Sequence, residues 1–175
     1  MSTTKWTIDP THSEINFKAK HLVISTVTGK FKKFAGEAEV ESEDFNGAKV
    51  SFTADIDSID TNQSDRDAHL KSGDFFDAEK YPQLKFSNGV LEKEGGEYVL
   101  KGELTIKETT KPIELSVDFG GVADDPYGNT KAGFELEGKI SRKEYGLTWN
   151  AVTEAGSVVV GDQIKILASV QLVKG

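Results

Sequence analysis

The sequence predicts an all-β chain: a closed antiparallel barrel of about eight strands, with one short helical segment near 64–77. Three observations carry this reading: period-two alternation of apolar and polar residues, closely spaced turn signals, and glycines set among large residues on the apolar faces. Alternation runs through Ile15-Asn16-Phe17-Lys18-Ala19-Lys20-His21 and Val50-Ser51-Phe52-Thr53-Ala54-Asp55-Ile56. It recurs at Tyr98, Leu100, Leu104 and Ile106, at Ile113, Leu115, Val117 and Phe119, at Phe134, Leu136 and Ile140, and at Ile164, Ile166, Ala168, Val170 and Leu172. Strands of this kind have one buried and one wet face, whereas strands buried on both faces read as continuous apolar runs.

The strands are expected near 13–23, 27–40, 48–58, 83–92, 97–107, 111–122, 130–143 and 162–174. Turn signals stand at Asn46-Gly47, Asn88-Gly89, Gly95-Gly96, Gly120-Gly121 and Asp125-Pro126-Tyr127-Gly128. Short connections require antiparallel neighbours, since parallel pairing needs a long crossover. Long strands with one apolar face are covered either in a sandwich or by closing the sheet on itself, and closure also removes exposed edges. Gly36 and Ala38 lie between Phe34 and Val40, Gly102 between Leu100 and Leu104, and Gly138 between Leu136 and Ile140. Glycine inside a strand marks a bend, a bulge or a close approach. This favours a bent, barrel-like sheet, and it allows the glycines to leave room for a guest.

Residues 61–82 break the strand rhythm. Ser64 with Asp67 resembles a capping box, Asp standing in for the usual Glu. Asp65-Arg66-Asp67-Ala68-His69-Leu70-Lys71 then supplies one or two helical turns ended at Ser72-Gly73. Asp74-Phe75-Phe76-Asp77 is expected to start a second short helical turn, and Tyr81-Pro82 closes the segment. A helical plug across one barrel end fits this composition.

A length of 175 residues favours one domain. The 21 Lys+Arg against 29 Asp+Glu give a net charge of -8, which opposes phosphate backbones and anionic bilayers. The compact basic cluster Lys30, Lys32 and Lys33 around Phe31 reads as a solvated strand or turn, diluted by acidic neighbours. Cysteine is absent, which excludes disulfides, iron–sulfur clusters, thiolate zinc sites and a cysteine nucleophile. Met1-Ser2-Thr3-Thr4-Lys5-Trp6 offers no apolar run for a signal peptide. No segment approaches the ~20 apolar residues of a spanning helix. As numbered, the chain is expected to be cytoplasmic, or periplasmic where a leader has been removed.

Several motifs together resemble one family. Trp6-Thr7-Ile8-Asp9-Pro10-Thr11-His12-Ser13 runs into Ile15, Phe17 and His21-Leu22, then Gly29-Lys30-Phe31 and Phe34-Ala35-Gly36. Arg66-Asp67-Ala68-His69-Leu70 follows, with Phe75-Phe76-Asp77 and Tyr81-Pro82. Next come Gly102-Glu103-Leu104-Thr105-Ile106-Lys107 with Thr110-Lys111-Pro112, Ser141-Arg142-Lys143-Glu144-Tyr145-Gly146-Leu147, and Val160-Gly161-Asp162. In order and spacing they resemble the YceI-like family, also called polyisoprenoid-binding proteins, over nearly the whole chain. The resemblance implies a lipocalin-like extended barrel with a short helical element, an isoprenoid chain bound inside, and no catalytic activity. Glu108-Thr109 departs from the pattern, in which a glycine follows the Leu-Thr-Ile-Lys stretch.

With the alternation, the resemblance places ligand-binding positions at Phe17, His21, Phe34, Gly36, Phe52, Arg66, His69, Phe75, Phe76, Leu100, Gly102, Leu104, Phe134 and Leu136. His21 shares the face of Ile15, Phe17 and Ala19. It either meets a ligand's polar head or is a satisfied core histidine near the rim. His12 with Ser13 either fixes the N-terminal turn through hydrogen bonds to backbone or contacts ligand. Arg66 and His69, three residues apart on a helix, either meet a head group at the mouth, or Arg66 ties the plug to the barrel through a carboxylate such as Asp9 or Glu144. Phe75 and Phe76 serve as core or as lid.

The three histidines lack zinc-site spacing, and Ser13 beside His12 lacks an elbow motif. No enzyme activity and no cofactor are expected. The function expected is binding of a long apolar lipid, a polyisoprenoid or prenyl quinone, as a carrier, store or scavenger. The alternative is a non-catalytic stress-response or interaction module with a filled barrel. The expected partners are the lipid and a second copy in a homodimer, with no nucleic acid and no membrane span.

Overall fold

The computed structural model describes residues 3–21, 25–42, 44–73, 75–147 and 160–175. The strands are β1 (Thr4–Ile8), β2 (Glu14–His21), β3 (Ser25–Phe31), β4 (Phe34–Val40), β5 (Lys49–Asp55) and β6 (Ile59–Asp60), then, after the helix α1 (Ser64–Lys71), β7 (Gln83–Glu94), β8 (Glu97–Ile106), β9 (Thr109–Asp124), β10 (Thr130–Ser141) and β11 (Val160–Lys174). Three pairs are single long strands interrupted once. β1 and β2 lie end to end along β11, Trp6–Ile8 against Leu172–Lys174 and Glu14–His21 against residues 160–169. β3 continues into β4 across Lys32-Lys33, and β5 into β6 across the 3-10 turn Ile56–Ser58. Among the described residues, the result is a closed antiparallel barrel of eight long strands with one short helix.

The three interruptions lie side by side and bend one wall. Lys32 N–H donates to Ser58 O (3.1 Å), and Asp55 N–H to Lys33 O (2.9 Å). In the first strand Asp9 caps the 3-10 turn Pro10–His12, accepting from the backbone N–H of Thr11 at 3.0 Å. Asp9 N–H donates to Gln171 O (2.8 Å), and Gln171 N–H donates to Ser13 Oγ (3.0 Å), so the bulged residues still satisfy the ladder of β11. Ser13 thus bonds to backbone as expected. His12 does not: its Nδ1 pairs with Asp9 Oδ2 at 2.8 Å.

Two of the expected turns are bulges instead. Gly95-Gly96 and residues 125–129 do turn the chain, and Lys107, at φ 57°, turns it between β8 and β9 where the glycine is missing. Asn88-Gly89 lies inside β7, where the register against β8 shifts between Ser87 and Val90. Gly120-Gly121 lies inside β9, opposite the register shift at Gly133/Phe134. An Asn-Gly or Gly-Gly pair supplies the positive φ of a bulge as readily as that of a hairpin, and both bulges add curvature that closure needs.

The helical segment also departs from expectation at its cap. The N-cap of α1 is Gln63, and no side chain caps it. Asp67 instead reaches back to the N–H of Thr61 at 2.8 Å and to its hydroxyl. The helix ends at Ser72-Gly73 as expected: Ser72 is its C-cap and donates its hydroxyl to His69 O. Asp74 lies outside the described residues, and 75–80 form turns rather than a second helix.

The β9–β10 ladder ends at Glu137 opposite Ser116. Pro112, which has no N–H to donate, sits in β9 beyond that point, where no donor is required toward β10. The buried Tyr145 packs beside this seam with Leu104, Ile106, Ile113 and Ile140.

Tyr145 Oη has no hydrogen-bond partner among the described residues, so Tyr145→Phe is expected to leave stability unchanged or raise it by up to ~1 kcal/mol, read by denaturant unfolding. A loss above ~2 kcal/mol contradicts this. Asp9, bonded to Thr11, His12 and Lys131, is held well below the ordinary carboxylate range. A depressed native pKa contributes stability above the unfolded-state value that is lost as pH falls below about 5. Asp9→Asn is therefore expected to be less stable at neutral pH and to show a flatter acid limb. An unchanged limb contradicts that assignment.

Candidate functional site

Strand alternation turns the apolar side chains inward, and closure encloses them around a cavity of about 710 Å³. That lies within the ~300–1,000 Å³ typical of small-ligand sites. The walls come from every long strand: Ile8, Ile15 and Phe17, then Phe31, Phe52, Phe86 and Leu100, then Leu115, Leu136, Ile166, Ala168 and Val170. The barrel is not filled by its own side chains, which counts against the packed interaction module.

The two ends of the cavity differ. One end carries the hairpin turns of β4–β5, β7–β8 and β9–β10, and it is closed by aromatic rings. Phe45, on the β4–β5 connection and 1% exposed, has its ring centroid 5.0 Å from Trp6 and 5.2 Å from both Phe119 and Phe134. Phe119 and Phe134 stack at 4.9 Å.

The other end carries α1 and the start of β11. Here Thr61, Gln63, Asp65, Arg66, His69 and Arg142 add polar groups to the lining. Arg66 is positioned by Thr61, with Nε donating to its hydroxyl (2.7 Å) and Nη2 to its carbonyl (2.5 Å). This replaces the expected tie to Asp9 or Glu144. Thr61 is itself buried and held by Asp67, so helix and connection form one hydrogen-bonded unit. Arg142, only 2% exposed, donates to Leu147 O at 2.6 Å. Burial lowers its guanidinium pKa, and the Asp162 carboxylate opposes the shift. Asp162 is in turn fixed by Ser141 Oγ (2.6 Å) and the Lys143 N–H (3.1 Å). The His69 ring stands edge-on to Phe75 at 5.1 Å. A buried guanidinium beside the apolar walls suits a polar or anionic head group better than a purely hydrocarbon guest.

Of the positions expected to bind ligand, Phe17, Gly36, Phe52, Arg66, His69, Phe75, Phe76, Leu100, Leu104, Phe134 and Leu136 line the cavity. Phe34 does not; it packs with its ring 6.1 Å from that of Phe52. His21 ends β2 opposite Ser25, and its side chain lies outside the described residues, as does all of Leu22. His12 stays out of the lining, so His12 and Arg66 do not meet in one pocket. Phe45 and Arg142 were not anticipated from sequence. Phe45 sits beside Asn46-Gly47 and reads as a turn residue, and Arg142 reads as the end of a strand.

Most of the inward glycines do not leave space for a guest but seat a neighbouring side chain. A Cβ on Gly102 would lie 2.4 Å from Phe86 Cζ, and one on Gly89 would lie 2.5 Å from Phe86 Cε1. The Phe86 ring therefore rests on two glycines. Gly138 seats Leu115, and Gly29 seats Phe17, in the same way. Gly102 accordingly drops out of the ligand-binding set. Gly36 is roomier: its nearest neighbours to a Cβ are Ser51 O at 3.2 Å and Phe52 at 3.3 Å.

The comparisons with known proteins agree on one group. Residues 6–172 match the YceI-like domain family. Protein YceI of Salmonella newport is 36% identical over 160 residues, covering 91% of this chain and 81% of that protein. A Photorhabdus laumondii protein is 42% identical over 134 residues, covering 77% and 70%. Among solved structures, a mutant Campylobacter jejuni YceI protein superposes with TM-score 0.74 at 32% identity, covering 89% of this chain and 90% of that one. A polyisoprenoid-binding domain from Saccharophagus degradans shares the fold at TM-score 0.69 and 12% identity, covering 97% and 98%.

The glycine seats give a direct test. Gly102→Ala is expected to cost ~1–3 kcal/mol through displacement of Phe86, and Gly36→Ala clearly less, as measured by thermal or denaturant unfolding. Equal effects, or a tolerated Gly102→Ala, contradict the seating.

Proposed function

The chain belongs to the YceI-like family, and from that premise we propose that its barrel binds a long apolar lipid, a polyisoprenoid or prenyl quinone, and holds it out of water as a carrier or store. The cavity supports this reading most directly. It is predominantly apolar along the barrel, closed by aromatics at one end and richest in polar groups at the α1 end. A chain-like guest fits that asymmetry, with its tail among the strands and its head near Arg66, His69 and Arg142. Each CH₂ withdrawn from water contributes about 0.8 kcal/mol, so a prenyl tail needs few polar contacts to bind tightly. The S. degradans domain, described as polyisoprenoid-binding, has the same fold.

A binding protein rather than a catalyst is the reading we favour. The two guanidinium groups at the mouth are engaged with neighbouring groups, Arg66 with Thr61 and Arg142 with Leu147. That arrangement fixes their orientation and suits recognition of a head group.

Organic extraction of the purified protein, followed by mass spectrometry, is expected to release an isoprenoid or similar lipid. A consistently empty protein that also fails to take up added prenyl quinone contradicts the proposal. Filling the cavity tests the location. Ala168, on β11 opposite Ile15 and Leu136, lines it in mid-barrel. Ala168→Phe is expected to weaken prenyl quinone binding by roughly tenfold or more, since two or more CH₂ groups lose their place. Unchanged affinity in a folded variant places the ligand elsewhere.

A further inference from the structure

The end of the cavity opposite α1 is met by one residue in particular. Phe45 is carried by the connection between β4 and β5, not by a strand, yet it lines the cavity and is almost completely buried. Its backbone is left-handed at φ 64°, a conformation that bulky side chains rarely adopt and that persists only where the surroundings impose it. The surroundings do so from several directions. Tyr98 Oη donates to Asp44 O at 2.6 Å, Asn46 N–H to Asp44 Oδ1 at 3.0 Å, and Lys93 N–H to Asn46 Oδ1 at 2.9 Å. Gly47 N–H donates to Leu91 O at 2.7 Å, which pins the connection to β7. The ring so placed is braced by Trp6, Phe119 and Phe134. A strained, heavily anchored turn that drives an aromatic ring across the barrel end is a rigid stop.

We propose that Phe45 sets the maximum length of the apolar chain that this barrel accepts. The inference rests on the lipid-binding reading and names the property of the ligand that the site selects. With the head held at the α1 end, a chain longer than the distance to Phe45 leaves its excess carbons in water at the mouth. A shorter chain leaves apolar wall uncovered. Preference therefore peaks at the length that just reaches the ring.

The test measures binding of a graded series of all-trans prenyl alcohols to the parent protein and to Phe45→Ala and Phe45→Leu, the second being the milder change should the first fail to fold. Phe34→Leu is the control, a comparable truncation of an aromatic that does not line the cavity. The parent is expected to show a length optimum. In the Phe45 variants the optimum moves to longer chains, and the first length that the parent excludes gains roughly tenfold or more in affinity, the gain from burying at least two further carbons. Phe34→Leu keeps the parent's optimum. A uniform change in affinity with an unmoved optimum in the folded Phe45 variants overturns the proposal and leaves Phe45 a packing residue only. Failure of the parent to bind any chain overturns the lipid-binding reading instead, and the two failures are distinct.

Discussion

β1 hydrogen-bonds to β4 along one edge and to β11 along the other, and this double pairing of a five-residue strand joins the first and last elements of the sheet. Much else follows from that closure. With the ring complete, the apolar faces of all eight long strands point at one another and have no second sheet to pack against. A ring of this size leaves an interior that either fills with side chains or holds one guest. Here the side chains do not reach across, and about 710 Å³ remains.

The curvature that closure demands is distributed over identifiable devices. The interruptions at Pro10–His12, Lys32-Lys33 and Ile56–Ser58 bend one wall together, and bulges at Asn88-Gly89 and Gly120 bend β7 and β9. Glycines then seat large side chains against the strands they cross. Phe86 on Gly89 and Gly102, Phe17 on Gly29 and Leu115 on Gly138 are the same solution used three times. These seats thicken the barrel wall, and the ends are finished separately: Phe45 and its aromatic neighbours at one, and α1 with its Thr61–Arg66–Asp67 hydrogen bonds at the other.

The architecture was largely legible because it is a repeated local pattern. Alternation in residues such as Phe134, Leu136 and Ile140 declares both the strand and its inner face, and seven of the long strands fall close to where that pattern puts them. The first half of the eighth, β1, is too short to establish a period. Asn88-Gly89 and Gly120-Gly121 misled because positive φ serves a bulge and a hairpin alike. The cavity walls were legible for the same reason as the strands, and Gly102 was misread because the sequence cannot tell a vacancy from a seat. Phe45 was hidden: nothing local distinguishes a turn aromatic that faces solvent from one driven into a barrel. The partners of Arg66 depend on a helix register that shifted by one residue, bringing Asp67 to Thr61.

The most direct measurement is a crystal structure of the protein grown with a saturating prenyl alcohol. The account predicts continuous electron density along the barrel axis, with the hydroxyl end beside Arg66 and Arg142 and the far end against the Phe45 ring. An interior without density, or one in which Phe17, Phe86 and Leu100 have closed over the axis, would contradict it.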